Sequence, residues 1–386
     1  MGSRLWIQNG RAVLPGGVEQ TDILIEDGRI AGIGGAAPGG NVRTIDAEGA
    51  YVLPGLVDIH CDAIEKEVEP RPGTLFPMEM AFLQFERKLA GHGITTMYHS
   101  LSLGVGLSLR GEHLVSEMIG TIRRLSEARS MIRHRVHLRY EVSHLTGFPL
   151  AERLIREGQI DYLSLMDHAP DQGQYRRPGA FQRYVMKNQG VDAEECERIV
   201  EELQARRALI DWGKLHQLTG LARQHGVAVA SHDDDTPEQV DRSMAFGASI
   251  SEFPLNLETA EYASGRGMKI CLGAPNIVRG GPHDKNLTAM DAVRAGAADI
   301  VCSDYHPASL LHSLFGMHAD GIPLHEAVRM ASLEPATALG EASRIGSIEP
   351  GKLADLLVVR TIGGVPVVTG TVVEGTVVSQ TRDYRM

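Results

Sequence analysis

The chain has 386 residues, of which 43% are hydrophobic, so it is long enough to bury a large core. Its formal net charge of −11 argues against a nucleic-acid surface, because such a surface needs a basic face. An anionic substrate would have to be attracted by local cations or by a metal, not by the overall charge.

The N-terminus and the cysteines bear on the compartment. The segment MGSRLWIQNGRAV lacks an apolar core of secretory length, and no apolar run is long enough to span a bilayer. The four cysteines form no C-x-x-C pair, which favours a reduced, intracellular protein. We therefore expect a cytoplasmic protein that does not contact a membrane.

The two ends of the chain carry the same kind of pattern. Residues 1–54 contain the β-type runs RLWIQN, DILIED and RIAGIG, and residues 343–386 contain DLLVVR, VPVVTG and TVVEGTVVS. Glycine, proline and aspartate separate these runs, which is typical of short antiparallel strands. The pattern predicts one small β-sandwich-like domain formed by 1–54 and 343–386.

Residues 55–342 alternate strand-like apolar runs with helical stretches, which indicates βα units and a parallel sheet. The predicted fold class is α/β, a (β/α)8 TIM-like barrel. The long stretch 169–226 predicts an active-site insertion with a helix. The eight strand candidates are GLVDIH (55–60), ITTMYHS (94–100), RVHLRYEVS (135–143), DYLSLMDH (161–168), VAVASH (227–232), ASISEFP (248–254), MKICLG (268–273) and DIVCSD (299–304).

Helix starts are marked in places by capping residues. Thr236, Pro237 and Gln239 follow the fifth strand candidate in the order of an N-cap, a proline at the first helical position and a glutamine at the third. This order predicts a helix that begins directly after that strand.

Six of these strands end at or near potential metal ligands. In a barrel the C-terminal strand ends meet at one mouth, where the chemistry of such enzymes takes place. Each residue alone could be a hydrogen-bonded structural group, but so many at strand ends together favour a metal site. These residues are His60, Asp62, Glu141, His144, Asp167, His168, His232, Glu252 and Asp304.

Several members of this set have more than one interpretation. Glu141 could be a bridging carboxylate, a substrate contact or the partner of an arginine such as Arg139. His144 and Asp167 are expected to orient a ligating imidazole through its second ring nitrogen. Cys61 should point away from His60 and pack, and Cys302 should lie in the core.

The order of these residues resembles the amidohydrolase superfamily. The segment AEGAYVLPGLVDIH is similar to the superfamily's entry into the first barrel strand, and GSIEPGKLADLLVV is similar to its exit into the small β-domain. The resemblance implies a metal-dependent barrel with His60, Asp62, His168, His232 and Asp304 as ligands. Glu141 would replace the carboxylated lysine that bridges two metals in many members.

Six segments in order resemble more specifically the branch of this superfamily that acts in phosphonate metabolism. They are DIHCDAIEKEVEPRPG, SLMDHAPDQGQY, ASHDDDT, EFPLNLETA, LGAPNIVRGG and SDYHPASLL. The resemblance implies hydrolysis of α-D-ribose 1-methylphosphonate 5-triphosphate to the 5-phosphate and diphosphate. Cys61 stands where threonine or another small residue is expected, but it does not affect the implied ligands.

Such a reaction needs a divalent metal and cations for the phosphates. Imidazole ligands favour zinc, whereas a carboxylate-rich site also suits manganese or iron, and one or two ions remain open. Asp304 is expected to be both a metal ligand and the catalytic proton acceptor. The candidate phosphate contacts are Arg279, Arg177, Lys187, Arg71, His283 and Lys285; Arg279 leads because it lies between a strand end and two glycines.

The expected partner is a small phosphorylated sugar, and a homo-oligomer remains open. Two alternatives stand beside this hypothesis. One is an amide or cyclic-amide hydrolase or a deaminase, which would use nearly the same ligands but would not require cation-rich loops. The other is a metal-free scaffold barrel, which the intact ligand set argues against.

Overall fold

The computed structural model describes residues 4–104, 109, 111–128, 130–170, 172–176, 179–189, 192–282 and 286–381. The strands before the barrel are β1 (Arg4–Leu14), β2 (Gly17–Glu26), β3 (Arg29–Ile33), β4 (Arg43–Asp46) and β5 (Tyr51–Pro54). The next eight are β6 (Leu56–Cys61), β7 (Ile94–Leu103), β8 (Arg133–Glu141), β9 (Tyr162–Met166), β10 (Ala228–His232), β11 (Ile250–Glu252), β12 (Lys269–Gly273) and β13 (Ile300–Cys302). The last three are β14 (Leu356–Ile362), β15 (Val365–Val373) and β16 (Thr376–Gln380).

Helices follow most of the barrel strands. They are α1 (Ala63–Val68), α2 (Met78–Gly91), α3 (Glu112–Glu127), α4 (Phe148–Arg156), α5 (Ala180–Gln189), α6 (Ala193–Ala208), α7 (Trp212–Gln224), α8 (Pro237–Ala245), α9 (Leu257–Gly265), α10 (Ala274–Val278), α11 (Ala289–Arg294), α12 (Ser309–Ala319), α13 (Leu324–Arg329) and α14 (Leu333–Ala338). None of these helices, within the residues described, combines the length and the apolar character needed to cross a membrane.

Strands β6 to β13 form a parallel sheet in sequence order, and each predicted strand is found. The sheet closes at the mouth: the Asp62 amide donates to the Asp304 carbonyl at 2.9 Å, and the Asp304 amide donates to the His60 carbonyl at 2.9 Å. The predicted (β/α)8 fold is confirmed. Closure makes residues from the first and last strands direct neighbours, although more than 240 positions separate them.

An irregularity in β6 turns His60 into the barrel. The pairing of β6 with β7 shifts register between Asp58 and Cys61. Ile59 packs in the apolar cluster inside the barrel, and Cys61 packs in the outer cluster beneath the helices. An extra residue of this kind redirects the side chains that follow it. The predicted packing of Cys61 away from the site agrees with this position, and Cys302 lies in the inner cluster.

Both ends of the chain join in a second sheet, as predicted. Its strands run in the order β16-β15-β14-β5-β1-β2-β3, with β4 beside β1. The C-terminal β14 pairs antiparallel with the N-terminal β5, with Val358 opposite Val52. Ile7, Ile23 and Leu356 belong to the apolar cluster that this sheet buries. We propose that residues 1–54 and 343–386 form one domain and that residues 55–342 form the other.

The described part of the insertion predicted for 169–226 includes the helices α5, α6 and α7. Phe181 and Val185 of α5 pack against Cys196 of α6, and α7 then leads into β10. The predicted cap of the next helix is also found: the Thr236 side chain accepts the Gln239 amide at 3.3 Å at the start of α8.

One arginine joins the barrel to the terminal sheet. Arg133 begins β8 and forms ion pairs with Asp355, whose side chain is 3% exposed, and with Glu374. Arg133→Ala would leave Asp355 buried without a cation, so we expect the free energy of unfolding to fall by about 3 kcal/mol, measured as a lower urea midpoint.

The matched control is Arg344→Ala, which breaks the exposed pair with Glu341. Its effect should stay below about 1 kcal/mol because exposed pairs are screened by solvent. Equal falls in the urea midpoint of the two variants would contradict a stabilising role for the ion pairs of Arg133.

Candidate metal centre

Three of the predicted ligands form a group of stacked and crossed imidazoles at the mouth of the barrel. His60 of β6 stacks on His232 of β10, with ring centroids 5.4 Å apart and planes 12° apart. His168, which follows β9, stands edge-on to His232 at 5.5 Å. Their proximity follows from the barrel, because each residue lies at or just after the C-terminal end of a strand.

A fully buried carboxylate lies beneath two of these imidazoles. Glu252, at the end of β11, accepts hydrogen bonds from Tyr162 Oη at 2.9 Å and Ser164 Oγ at 2.8 Å. Its oxygens also lie 2.9 Å from His60 Nδ1 and 3.3 Å from His232 Nδ1. Burial favours the neutral form of Glu252, but the imidazoles of His60 and His137 and the hydrogen bond with His232 outweigh burial and hold its pKa well below the usual range. Glu252 is therefore an anion.

Hydrogen bonding fixes which ring nitrogen of His232 carries the proton. Arg139 Nη2 lies 3.2 Å from His232 Nε2, and a guanidinium can only donate. Nε2 must therefore be unprotonated, and Nδ1–H donates to Glu252. Burial lowers the pKa of His232, which favours this neutral form. Carboxylate-held imidazoles with an exposed lone pair are typical of metal sites.

His168 has the same arrangement with a different carboxylate. Its Nδ1 lies 3.2 Å from Glu141 Oε2, and its backbone amide donates to Glu141 Oε1 at 3.2 Å. Its Nε2 is buried without a hydrogen-bond partner among the described residues, and lies 3.8 Å from Asp233 Oδ2. Glu141 therefore orients His168 in this structure, and the orphaned Nε2 is a lone pair that a metal would satisfy.

Two groups of side chains bring ligand atoms within 4.8 Å of one another, and they differ in how fully they are hydrogen-bonded. The deep group contains His60, His137 and Glu252. Both nitrogens of His137 already contact serine hydroxyls, Ser100 at one and Ser164 at the other, and Glu252 has its own donors. Most of its ligand atoms are therefore engaged, but His60 Nδ1, 2.9 Å from Glu252 Oε1, has no hydrogen-bond partner among the described residues.

The outer group contains His168, His232 and Asp233. It offers two imidazole nitrogens and a carboxylate oxygen, a donor set that suits zinc and other divalent transition metals. The orphaned Nε2 of His168 supports this fit. Asp62 and Asp304 lie at the same mouth and could complete the coordination.

Three residues at the mouth have left-handed backbone conformations. Asp233, Phe253 and Asp304 have φ values of 59°, 54° and 57°. Each donates its amide to the neighbouring strand at 2.9 Å, to Glu252, Cys271 and His60 respectively. Such a conformation is rare for phenylalanine and is usually found where function requires it. The Phe253 ring stands edge-on to His60 at 4.9 Å and His232 at 5.3 Å, so it shields both imidazoles.

The carboxylates of the mouth influence one another. Desolvation, together with the nearby charge of Asp62, raises the pKa of Asp304 to about 6. Asp62 lies with its Oδ2 3.5 Å from Arg139 Nη1. The three aspartates after His232 have separate contacts: Asp233 faces His168, Asp234 accepts from Ser231 and Ser243, and Asp235 pairs with Arg176 at 3.2 Å.

The remaining predicted residues do not belong to either ligand group as far as the described residues show. Arg279 is exposed at the end of α10, directly after β12, and Arg71 is exposed in a turn after α1. Arg177, His283 and Lys285, and the side chain of Lys187, lie outside the described part of the chain. Asp167 accepts from Arg207 Nε at 2.9 Å and His144 lies 3.4 Å from Glu112, so the described contacts join both to groups other than ligand imidazoles.

Two residues of the site, His137 and Asp233, were not named as candidates from the sequence. His137 and Arg139 share a strand face with Glu141, since alternate residues of β8 point the same way. Three polar side chains at every second position of a buried strand were the available signal. Asp233 belongs to the aspartate run in ASHDDDT, and Glu252 was among the candidate ligands near strand ends.

The comparisons with known proteins agree with this fold. The sequence profile of the amidohydrolase family matches residues 184–378. The alpha-D-ribose 1-methylphosphonate 5-triphosphate diphosphatase of Escherichia coli (strain K12) is 34% identical over 358 residues, covering 91% of this chain and 94% of that protein. The imidazolonepropionase of Symbiobacterium thermophilum is 26% identical, covering 91% and 85%. Among solved structures, an L-hydantoinase (dihydropyrimidinase) from Arthrobacter aurescens superposes with a TM-score of 0.65 at 18% identity, covering 100% of this chain and 98% of that one.

The contacts of Glu252 lead to a prediction. Glu252→Gln keeps the shape but replaces an anion that accepts from His232 and lies 2.9 Å from His60 Nδ1 with an amide that has one acceptor oxygen. We expect zinc affinity, measured by competition with a chelator, to fall by about 10- to 100-fold. The control is Glu258→Gln, an exposed glutamate on α9, which should bind zinc like the unmodified protein. Unchanged zinc affinity in Glu252→Gln would show that Glu252 does not support the ligands.

Proposed function

Because the chain belongs to the amidohydrolase family, we propose that this hydrolase removes diphosphate from α-D-ribose 1-methylphosphonate 5-triphosphate and leaves the 5-phosphate. The observation that carries the proposal is the similarity to the Escherichia coli diphosphatase along nearly the full length of both chains. The geometry of the mouth supports it, since carboxylates, imidazoles and a buried arginine converge there.

We propose that His168, His232 and Asp233 hold a divalent metal, with His60, Asp62 and Asp304 as further ligands. The contact between Glu141 and His168 favours an orienting role for Glu141 over a bridging one. A bound divalent metal would activate water and offset negative charge on the phosphates. Zinc fits the imidazoles, and manganese or iron fits the carboxylates.

The protein's own groups have distinct tasks in this scheme. Asp304 accepts the proton of the attacking water, a task for which its carboxylate is placed because it lies at the mouth beside the other proposed ligands. Glu252 keeps Nδ1 of His232 protonated, so the Nε2 lone pair of His232 is free for a metal. Phe253 covers both rings and limits the access of bulk water to them. Arg279 and Arg71 are proposed to bind the departing diphosphate, with Arg177, Lys187, His283 and Lys285 as further candidates.

An amide-hydrolase function remains the second candidate, favoured by the similarity to an imidazolonepropionase. The two functions release different products. Metal-loaded protein incubated with the ribose triphosphate should give diphosphate and the 5-phosphate by phosphorus NMR. Inorganic phosphate as the product would overturn the assignment. Ammonia or amine release from cyclic amides, with no reaction of the triphosphate, would favour the second candidate.

Asp304→Asn should abolish most of this diphosphate release, by about 100-fold or more, because the amide cannot accept the proton. The measurement is initial rate by phosphorus NMR at matched metal content. A rate close to that of the unmodified protein would remove Asp304 from the proposed role.

Asp62→Ala should lose metal before it loses the fold. Asp62 lies at the end of the closing strand but its backbone, not its side chain, makes the closing hydrogen bond. We expect metal content after dialysis to fall while the thermal unfolding midpoint of the metal-free protein changes little. A large fall in that midpoint with metal content retained would contradict a ligand role.

A further inference from the structure

A buried arginine lies among the proposed metal ligands. Arg139 of β8 is 7% exposed, and its guanidinium is 3.2 Å from His232 Nε2 and 3.5 Å from Asp62 Oδ2. Its Nε is buried without a hydrogen-bond partner among the described residues. A desolvated guanidinium with an unused donor is expensive to maintain unless an anion completes its contacts.

Arg139 and a metal compete for the same atom. The Nε2 nitrogen of neutral His232 has one lone pair, because its Nδ1–H is directed at Glu252. That lone pair can accept from Arg139 or bind a metal, but it cannot do both. Asp62 faces a similar choice, because its oxygen lies within reach of the guanidinium.

Displacement by a metal would leave Arg139 without its two contacts. The guanidinium stays charged, so it would lie beside a divalent cation in a buried mouth. An anion with several acceptor oxygens would satisfy both cations. A phosphoryl group matches the planar fork of arginine and can accept two hydrogen bonds from it.

We propose that Arg139 is a phosphoryl-binding residue of this site, released from His232 and Asp62 when a divalent metal binds and then paired with phosphate oxygens of the substrate. This inference rests on the proposed function and deepens it, because it names a residue that selects phosphorylated substrates over neutral amides. Metal and phosphate then strengthen each other's binding, as linkage requires.

The test measures binding and needs no turnover. The probe is ribose 5-phosphate, titrated calorimetrically into metal-free and zinc-loaded protein. In the unmodified protein, zinc should tighten ribose 5-phosphate binding by about tenfold or more. Arg139→Met removes the charge and the donors, so it should reduce that gain to about twofold or less while zinc alone binds as tightly as before or more tightly.

Two results would overturn the proposal. One is a zinc-induced tightening of ribose 5-phosphate binding in Arg139→Met that equals the tightening in the unmodified protein. The other is a zinc affinity of Arg139→Met about tenfold weaker in the absence of sugar phosphate, which would show that Arg139 supports the metal ligands. The matched control is Arg135→Met on the same strand, whose partners are Asp161 and Glu341 and which should keep the full gain.

A second variant covers a failure of Arg139→Met to fold. Arg139→Lys keeps the charge but loses the fork, so zinc-loaded protein should bind ribose 5-phosphate about threefold or more weakly, with zinc affinity maintained. An unchanged affinity for the sugar phosphate would count against the proposal.

The outcome is separable from that of the proposed function. If the unmodified protein releases diphosphate but zinc tightens ribose 5-phosphate binding equally in Arg139→Met, this inference is wrong and the proposed function is retained. If the tightening requires Arg139 but the protein releases no diphosphate from the triphosphate, the proposed function is wrong and the role of Arg139 in phosphate binding is retained.

Discussion

The buried anion Glu252 is the interaction on which the mouth of the barrel depends. A buried carboxylate is stable as an anion only when its oxygens are hydrogen-bonded or paired, and here Tyr162, Ser164 and His232 donate to them while His60 Nδ1 lies 2.9 Å away. The hydrogen bond with His232 fixes the proton of that imidazole on Nδ1. The orientation of one proposed ligand is thus a consequence of satisfying one charge.

The backbone imposes the second constraint. Three residues that follow or lie near strand ends adopt left-handed conformations while their amides extend the ladder to the next strand. This combination turns Asp233 and Asp304 at the rim without opening the sheet, and it sets the Phe253 ring against two imidazoles. The register shift in the pairing of β6 with β7 likewise changes the direction of the His60 side chain without opening the sheet. Rigid strands with local departures give the site its precision.

Charge is distributed unevenly in this site. The protein is acidic overall, and the mouth gathers Asp62, Asp233 and Asp304 with Arg139 as a buried cation among them. A metal offsets the acidic groups and competes with the arginine for its partners. The diphosphatase proposal and the role inferred for Arg139 therefore share one physical basis, which is that a metal and a displaced guanidinium side by side both bind the oxygens of a multivalent anion.

Sequence pattern by itself determined the barrel, the sheet built from both ends and the strand ends at which His60, His168, His232 and Asp304 lie, because periodicity and turn residues are local properties of the chain. It also showed Arg139 and Glu252, but not their partners. Only the tertiary structure decided that Glu141 holds His168, that Arg139 reaches His232 from 93 positions away, and that Asp233 joins the outer group. Hydrogen-bond partners across a barrel depend on closure and on local irregularities, which one chain's alternation of apolar and polar residues does not encode.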